Sequence, residues 1–347
     1  MSEHSQSAGP IRVKVLSREP ARILSRQLPA GDRWGNCRFL FDPGTREYDW
    51  LVVYNDLPHR RGETTSLSQE ILACPRRHTL LVTTEPSSIK AYGRVYTAQF
   101  GCVLTSQEDW ALPHPDRIYS QPALHWFYGV GRNQVLRYDE LAAMPAPEKT
   151  ADVSMVWSGK KGWFTQHSKR HAFMQRVRAE IPGVEVYGRG VRELDDKAEA
   201  LSAYRYHIAI ENHIGPHHWT EKLADPLLGF ALPFYSGCPN VSEYFPAESV
   251  IPIDIDDASG ALAVIRRAIE NREYEKRLPF ILEARRKLLE EYNLFAVLAR
   301  EIDKRHSEGM AADGGILYSR HALVKKYPLV GVRQLFEKGR ARLKNLL

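Results

Sequence analysis

No run of this 347-residue chain stays apolar for the roughly 18–20 residues that a membrane-spanning helix takes. Its first ten residues, MSEHSQSAGP, lack the apolar core of a secretory signal. Cysteine is sparse: Cys37, Cys74, Cys102 and Cys238 are scattered with no CxxC pair. That pattern speaks against a disulfide framework or a cysteine zinc site and predicts reduced thiols in a cytosolic protein. A spread excess of positive charge is also missing. The formal net charge is +6 and the pI about 9.0, but residues 321–347 carry seven lysines and arginines against the single acid Glu337, which accounts for the whole excess. A balanced body offers no broad basic face, so nucleic acid is not expected as a partner.

What is present is 43% hydrophobic and 26% charged residues, the profile of a globular protein, over a length that suits two domains of about 100–200 residues each. In the first half, short apolar runs at Ile11–Leu16, Trp50–Tyr54, Thr79–Thr83 and Cys102–Thr105 read as buried strands. Ala143–Thr150, with two prolines, reads as a linker. Beyond it, strands and helices alternate. Strands are expected at Val153–Trp157, Val184–Tyr187, Tyr206–Ile210 and Ala231–Tyr235. Helices are expected from a Ser168 cap through Phe173, Val177 and Ile181, then at Asp195–Tyr204 and Thr220–Gly229, with a mostly helical stretch over Ala258–Arg305. This alternation implies parallel sheets covered by helices, in domains spanning 1–145 and 151–310.

In the remaining segment, 311–347, Val332, Leu335, Phe336, Leu343, Leu346 and Leu347 fall on one helical stripe with the cations elsewhere. Two readings stand side by side: an amphipathic helix on an anionic membrane surface, or a terminal helix packed on its own domain.

The chemistry concentrates in YRYHIAIENHIGPHHWTEK, residues 204–222. Ligands of open parallel sheets bind beyond the carboxyl ends of strands. Here a strand runs directly into Glu211-Asn212, whose side chains suit sugar or ribose hydroxyls. A short loop later, Thr220-Glu221-Lys222 opens a helix, where free backbone N–H groups and a lysine suit a phosphate. A capped helix start with a solvated Glu-Lys pair would read the same way.

The run from Tyr204 to about Asp254 resembles the C-terminal donor-binding motif of glycosyltransferase family 10, the α1,3/α1,4-fucosyltransferases. A strand ending in Glu-Asn, a Thr-Glu-Lys helix start and a proline-containing strand with a Gly-x-Pro turn correspond to Tyr204–Asn212, Thr220–Lys222 and Leu232–Pro239. Upstream, Ser158 and the run Ser168–Phe173 resemble the stretch whose arginine reaches the donor pyrophosphate. The resemblance covers most of 151–305 and only loosely the first 150 residues. It implies a GT-B fold, two Rossmann-like domains with a cleft between them, and an inverting enzyme that moves fucose from GDP-fucose to a glycan hydroxyl, decorating a surface glycan or lipid-linked precursor from the cytosolic side. It further implies that Arg170 and Lys222 neutralise the pyrophosphate, that Glu221 and Asn212 hold hydroxyls, and that His218, where many members carry tyrosine, stacks or hydrogen-bonds near the nucleotide. Ile210 also departs from the family's phenylalanine.

Inversion needs a base for the acceptor hydroxyl and cations for the leaving diphosphate. Fixed Arg and Lys can serve the leaving group without a metal, and no tightly bound cofactor is expected. Glu85, directly after the Thr79–Thr83 strand where the family has a glutamate, is the expected base; a turn cap before Pro86 is the plainer role. A transferase using another nucleotide sugar and a non-catalytic nucleotide- or glycan-binding protein are the rival readings. Four features are discounted. Tyr187–Gly190 lacks the third glycine of a dinucleotide fingerprint. Asp254-Ile255-Asp256 reads as an ordinary helix start, and His213, His217 and His218 lack cysteine partners for zinc. The aromatic run His125–Tyr128 is expected to pack late in the first domain, with a role at the acceptor as the alternative.

Overall fold

The computed structural model describes residues 9–59, 62–122, 124–157, 166–188 and 190–345. Ser158, Arg189, Leu346 and Leu347 of the sequence reading lie outside them. The chain folds as two compact units, one of Met1–Pro122 with Leu294–Leu347 and one of Ala123–Asn293.

Unit 1 is built on a seven-stranded sheet. Its strands are β1 (Ile11–Ser17), β2 (Arg33–Trp34), β3 (Cys37–Leu40), β4 (Trp50–Tyr54), β6 (Thr79–Val82), β7 (Cys102–Thr105) and β8 (Arg117–Tyr119), in the order β2-β3-β1-β4-β6-β7-β8. Every neighbouring pair is parallel except β2–β3. All residues of β4, β6 and β7 are buried. Strands covered on both faces need apolar side chains in both directions, and this is why they read as unbroken apolar runs. The separate strand β5 (Gln69–Ile71) pairs with β14 (Ile316–Tyr318), near the end of the chain. Unit 1 also holds the short helices α1 (Ala21–Ser25) and α2 (Arg94–Thr97).

Unit 2 holds β9 (Ala151–Val156), β10 (Glu185–Tyr187), β11 (Tyr204–Ile210), β12 (Leu232–Ser236) and β13 (Ile251–Pro252), all parallel, in the order β10-β9-β11-β12-β13. Among the helices of unit 2, α3 (Tyr138–Ala143) comes first, and α4 (Gln166–Glu180) begins two residues before the Ser168 suggested as its cap. Helix α5 (Glu221–Leu228) has Thr220 as N-cap and Gly229 as C-cap; α6 (Ala258–Glu270) and α7 (Glu273–Glu290) follow. The helix expected over Asp195–Tyr204 is only a single 3-10 turn at Lys197–Ala200. Asp196 and Glu199 form a capping box that closes this turn. The chain must then be extended at Tyr204 to pair with Ala151.

The division differs from the expected 1–145, 151–310 and 311–347. Residues 124–150 belong to unit 2. Asp225 of α5 accepts from the backbone N–H groups of Phe127 and Tyr128, and Trp126, Tyr128 and Leu141 join the unit 2 core. The supposed linker carries Lys149, whose buried ammonium donates to the carbonyls of Leu201 and Gly229. The aromatic run is thus part of the second unit rather than the end of the first. At the other end, helix α8 (Leu294–Asp303) returns the chain to unit 1, where Phe295 meets the Phe39 ring edge-on at 4.7 Å. Helices α9 (Arg320–Lys326) and α10 (Pro328–Lys344) complete that unit.

Candidate active site

The carboxyl end of β11 and the start of α5 are joined by one buried carboxylate. Glu211 accepts from the backbone N–H of Thr220 at 2.8 Å and from its hydroxyl at 2.7 Å, and the Tyr235 hydroxyl lies 3.5 Å away. The Thr220 hydroxyl oxygen accepts from the Lys222 N–H, so one side chain both caps the helix and satisfies the glutamate. Burial raises the Glu211 pKa, with Lys222 opposing. Gly237, after β12, admits this packing: a Cβ there would strike both Glu211 and the Tyr235 hydroxyl. The sequence suggested Glu211 as a group for ligand hydroxyls; instead its oxygens are engaged by the protein.

The ammonium of Lys222 sits 2.9 Å from Glu221, 3.3 Å from the Thr220 hydroxyl and 3.7 Å from Glu211. Burial works against its charge, but Glu221 and Glu211 outweigh burial and raise its pKa. Burial likewise opposes charge on Glu221, yet Lys222 and Lys197 pull its pKa down to about 2. Lys197 was not anticipated. It looks like an ordinary surface lysine in sequence and gains its place from a 2.7 Å ion pair with buried Asp225. From α4, Arg170 donates to Asn212 Oδ1 at 2.9 Å. Burial lowers its pKa, while Glu211 and Glu221 act to raise it. Five expected residues, Arg170, Asn212, His218, Glu221 and Lys222, are therefore brought to one end of the unit 2 sheet. His218 is buried with its ring 5.3 Å from that of His213. Burial, His213 and Lys222 lower its pKa to about 3, so it is neutral at pH 7.

Cations held against buried carboxylates beside a helix N-terminus form a site for an anionic group next to hydrogen-bonding partners. The neighbouring features are otherwise occupied. His217 bonds the Tyr244 hydroxyl at 2.6 Å, and Asp256 pairs with Lys169 at 2.9 Å. Among the described residues no three His, Cys, Asp or Glu side chains are grouped as metal ligands would be. Glu85 lies in unit 1, three residues beyond β6. Its backbone carbonyl accepts from Gln107 Nε2 at 2.7 Å, and the neighbouring Thr84 N–H donates to the Tyr92 hydroxyl.

Two parallel-sheet α/β units, with such a site beyond a strand end of the second, are the arrangement of the GT-B fold. Residues 146–274 match the model of the glycosyltransferase family 10 (fucosyltransferase) C-terminal domain. Over 117 residues the chain is 31% identical to the 4-galactosyl-N-acetylglucosaminide 3-alpha-L-fucosyltransferase FUT6 of Gorilla gorilla gorilla and 30% identical to its counterpart from Pongo pygmaeus. Each match covers 32% of this chain and 32% of the relative, so the chain spans about a third of the length of these relatives. A solved α1,3-fucosyltransferase with GDP-fucose is 15% identical at a TM-score of 0.46, covering 90% of this chain and 95% of that one. Residues 146–274 are thus similar to glycosyltransferase family 10.

Proposed function

We propose that the protein transfers fucose from GDP-fucose to a hydroxyl of a glycan acceptor with inversion at the sugar carbon. The carrying observation is the cluster of Lys222, Glu221, Arg170 and Asn212 at the end of β11, inside the region that matches the family 10 model. Lys222, Arg170 and the N–H groups at the start of α5 stabilise negative charge on the diphosphate as the bond to fucose breaks. Glu221 and Asn212 accept or donate to ribose and sugar hydroxyls. Neutral His218 offers a ring face or a single hydrogen bond beside the nucleotide. Glu85 takes the proton of the acceptor hydroxyl as that oxygen bonds to the sugar carbon, and GDP departs with the electron pair of the broken bond.

The test is release of GDP from GDP-fucose with a panel of galactosyl-N-acetylglucosamine acceptors. Glu85→Gln is expected to lower turnover by about 10²–10⁴ with GDP affinity nearly unchanged. Full activity in that variant would remove Glu85 from the role. The parent chain releasing no GDP with any acceptor would favour the binding-protein reading.

We also propose a cytoplasmic protein that rests on an anionic membrane surface through α10. The supporting observations are that Leu329 is 83%, Leu335 71% and Phe336 76% exposed, on a helix whose last turn holds Arg342 and Lys344. No described helix is long and apolar enough to cross a membrane.

A further inference from the structure

Lys197 opens the 3-10 turn Lys197–Ala200, yet its side chain serves another element. The turn itself is closed by the capping box of Asp196 and Glu199. Asp196 also accepts from the Gly129 N–H at 2.9 Å, and Asp195 from the Arg132 N–H at 3.1 Å. The backbone here is therefore held without the lysine. Its ammonium lies 2.7 Å from Asp225 Oδ2 on α5 and 5.1 Å from the centre of the Phe127 ring. Asp225 Oδ1 accepts from the N–H groups of Phe127 and Tyr128. Neutralising this buried carboxylate accounts for one partner of Lys197. A second carboxylate stands one helical turn away.

Glu221 and Asp225 are four residues apart on α5, so they share a face of the helix with Cβ atoms about 5–6 Å apart. An ammonium anchored on Asp225 is thus a neighbour of Glu221 too. Glu221 also meets Lys222 at 2.9 Å. Arg170 from α4, Glu211 beyond β11 and neutral His218 lie within its field as well. Burial opposes charge on Glu221; Lys222 first and Lys197 second overcome it. Lys222 and Arg170 are the cations assigned to the diphosphate. Lys197 is tied in place by a carboxylate whose side chain is only 1% exposed. An arriving diphosphate draws Lys222 towards its oxygens and sets further negative charge beside Glu221, and Lys197 is the lysine that stays.

We propose that Lys197 is a positioning residue for the transfer: it holds the charge of Glu221 so that Lys222 can turn from that carboxylate to the diphosphate. The inference rests on the donor site proposed above. With Lys197 neutral, Glu221 would compete with the phosphate oxygens for Lys222. With Lys197 charged, Glu221 stays an ionised acceptor for a hydroxyl of the donor while Lys222 serves the leaving group. Lys197 itself touches neither the sugar nor the phosphates in this scheme; it acts through Glu221.

The test is a double-mutant cycle read by calorimetric titration of the full chain with GDP-fucose. Lys197→Gln keeps a side-chain donor for Asp225 and removes the charge. It is expected to weaken binding at least about fivefold, whereas Lys197→Arg should stay within about twofold of the parent. In the Glu221→Gln background, the further change made by Lys197→Gln should shrink below about twofold, because no carboxylate is left for the lysine to hold. A role confined to Asp225 and the fold predicts the same loss in both backgrounds. That result would overturn the proposal, as would parent-like binding by Lys197→Gln, equal weakening by Lys197→Arg, or a Lys197→Gln chain that no longer folds. A parent that does not bind GDP-fucose would remove the donor site and this inference with it. Parent binding without coupling between Lys197 and Glu221 would remove this inference alone.

Discussion

Thr220 serves two elements with one hydroxyl: it donates to Glu211 and accepts from the Lys222 N–H. Thr220→Val should therefore cost about 1–3 kcal/mol, since it removes a helix cap and leaves a buried carboxylate short of a donor. Chemical denaturation checks this. If the proposed function holds, Lys222→Ala should lower kcat/KM by about 10²–10³, because charge would then develop on the diphosphate without this cation; steady-state kinetics with GDP-fucose read it. Two buried histidines of this unit, His207 and His218, have pKa values lowered to about 3, in each case first by burial. The folded state refuses protons that the unfolded chain accepts below about pH 6.5, so stability rises with pH across that window. On acidification from pH 6.5 towards 3, each should remove up to about 1.4 kcal/mol per pH unit. Denaturant midpoints at stepped pH should fall accordingly, and His207→Gln should flatten the slope; a flat profile in the parent would contradict this burial.

At the scale of elements, the parallel strands were legible because burial on both faces forces unbroken apolar runs such as WLVVY and TLLV. Helix α5 was legible from its caps, Thr220 and Gly229. The turn at Lys197–Ala200 was not, because its helix-forming residues are overruled by the pairing of β11 with β9. Within the site, Arg170, Asn212, Glu221 and Lys222 could be named from type and spacing together with the family resemblance. The clamp by Glu211 and the ion pair of Lys197 could not, since both rest on contacts that no local pattern encodes. Asp225 ties three elements: it holds Lys197 and the N–H groups of Phe127 and Tyr128. Removing one partner of a buried pair typically costs about 3–5 kcal/mol. Asp225→Ala should lose about that much, with earlier hydrogen exchange in residues 124–131 than elsewhere in unit 2. Uniform exchange across the unit would contradict the clamp.

For the whole molecule, the chain leaves unit 1 after Pro122 and returns to it at Leu294. No composition change marks either crossing; the apolar contact of Phe295 with Phe39 fixes the second, across more than two hundred residues. Helix α10 carries a wide apolar surface at the end of this return. The double variant Leu335→Glu with Phe336→Glu should keep its melting temperature and lose co-sedimentation with anionic vesicles; unchanged sedimentation would reject α10 as the contact. On the proposed function, the end of β11 and the start of α5 hold a guanosine diphosphate sugar. Calorimetric titration of the full chain with GDP, UDP and ADP tests it most directly. GDP is expected to bind at least about tenfold more tightly than the other two, and Lys222→Ala to weaken it. Equal affinity for the three nucleotides, or a Lys222→Ala variant that binds GDP as the parent does, would contradict it.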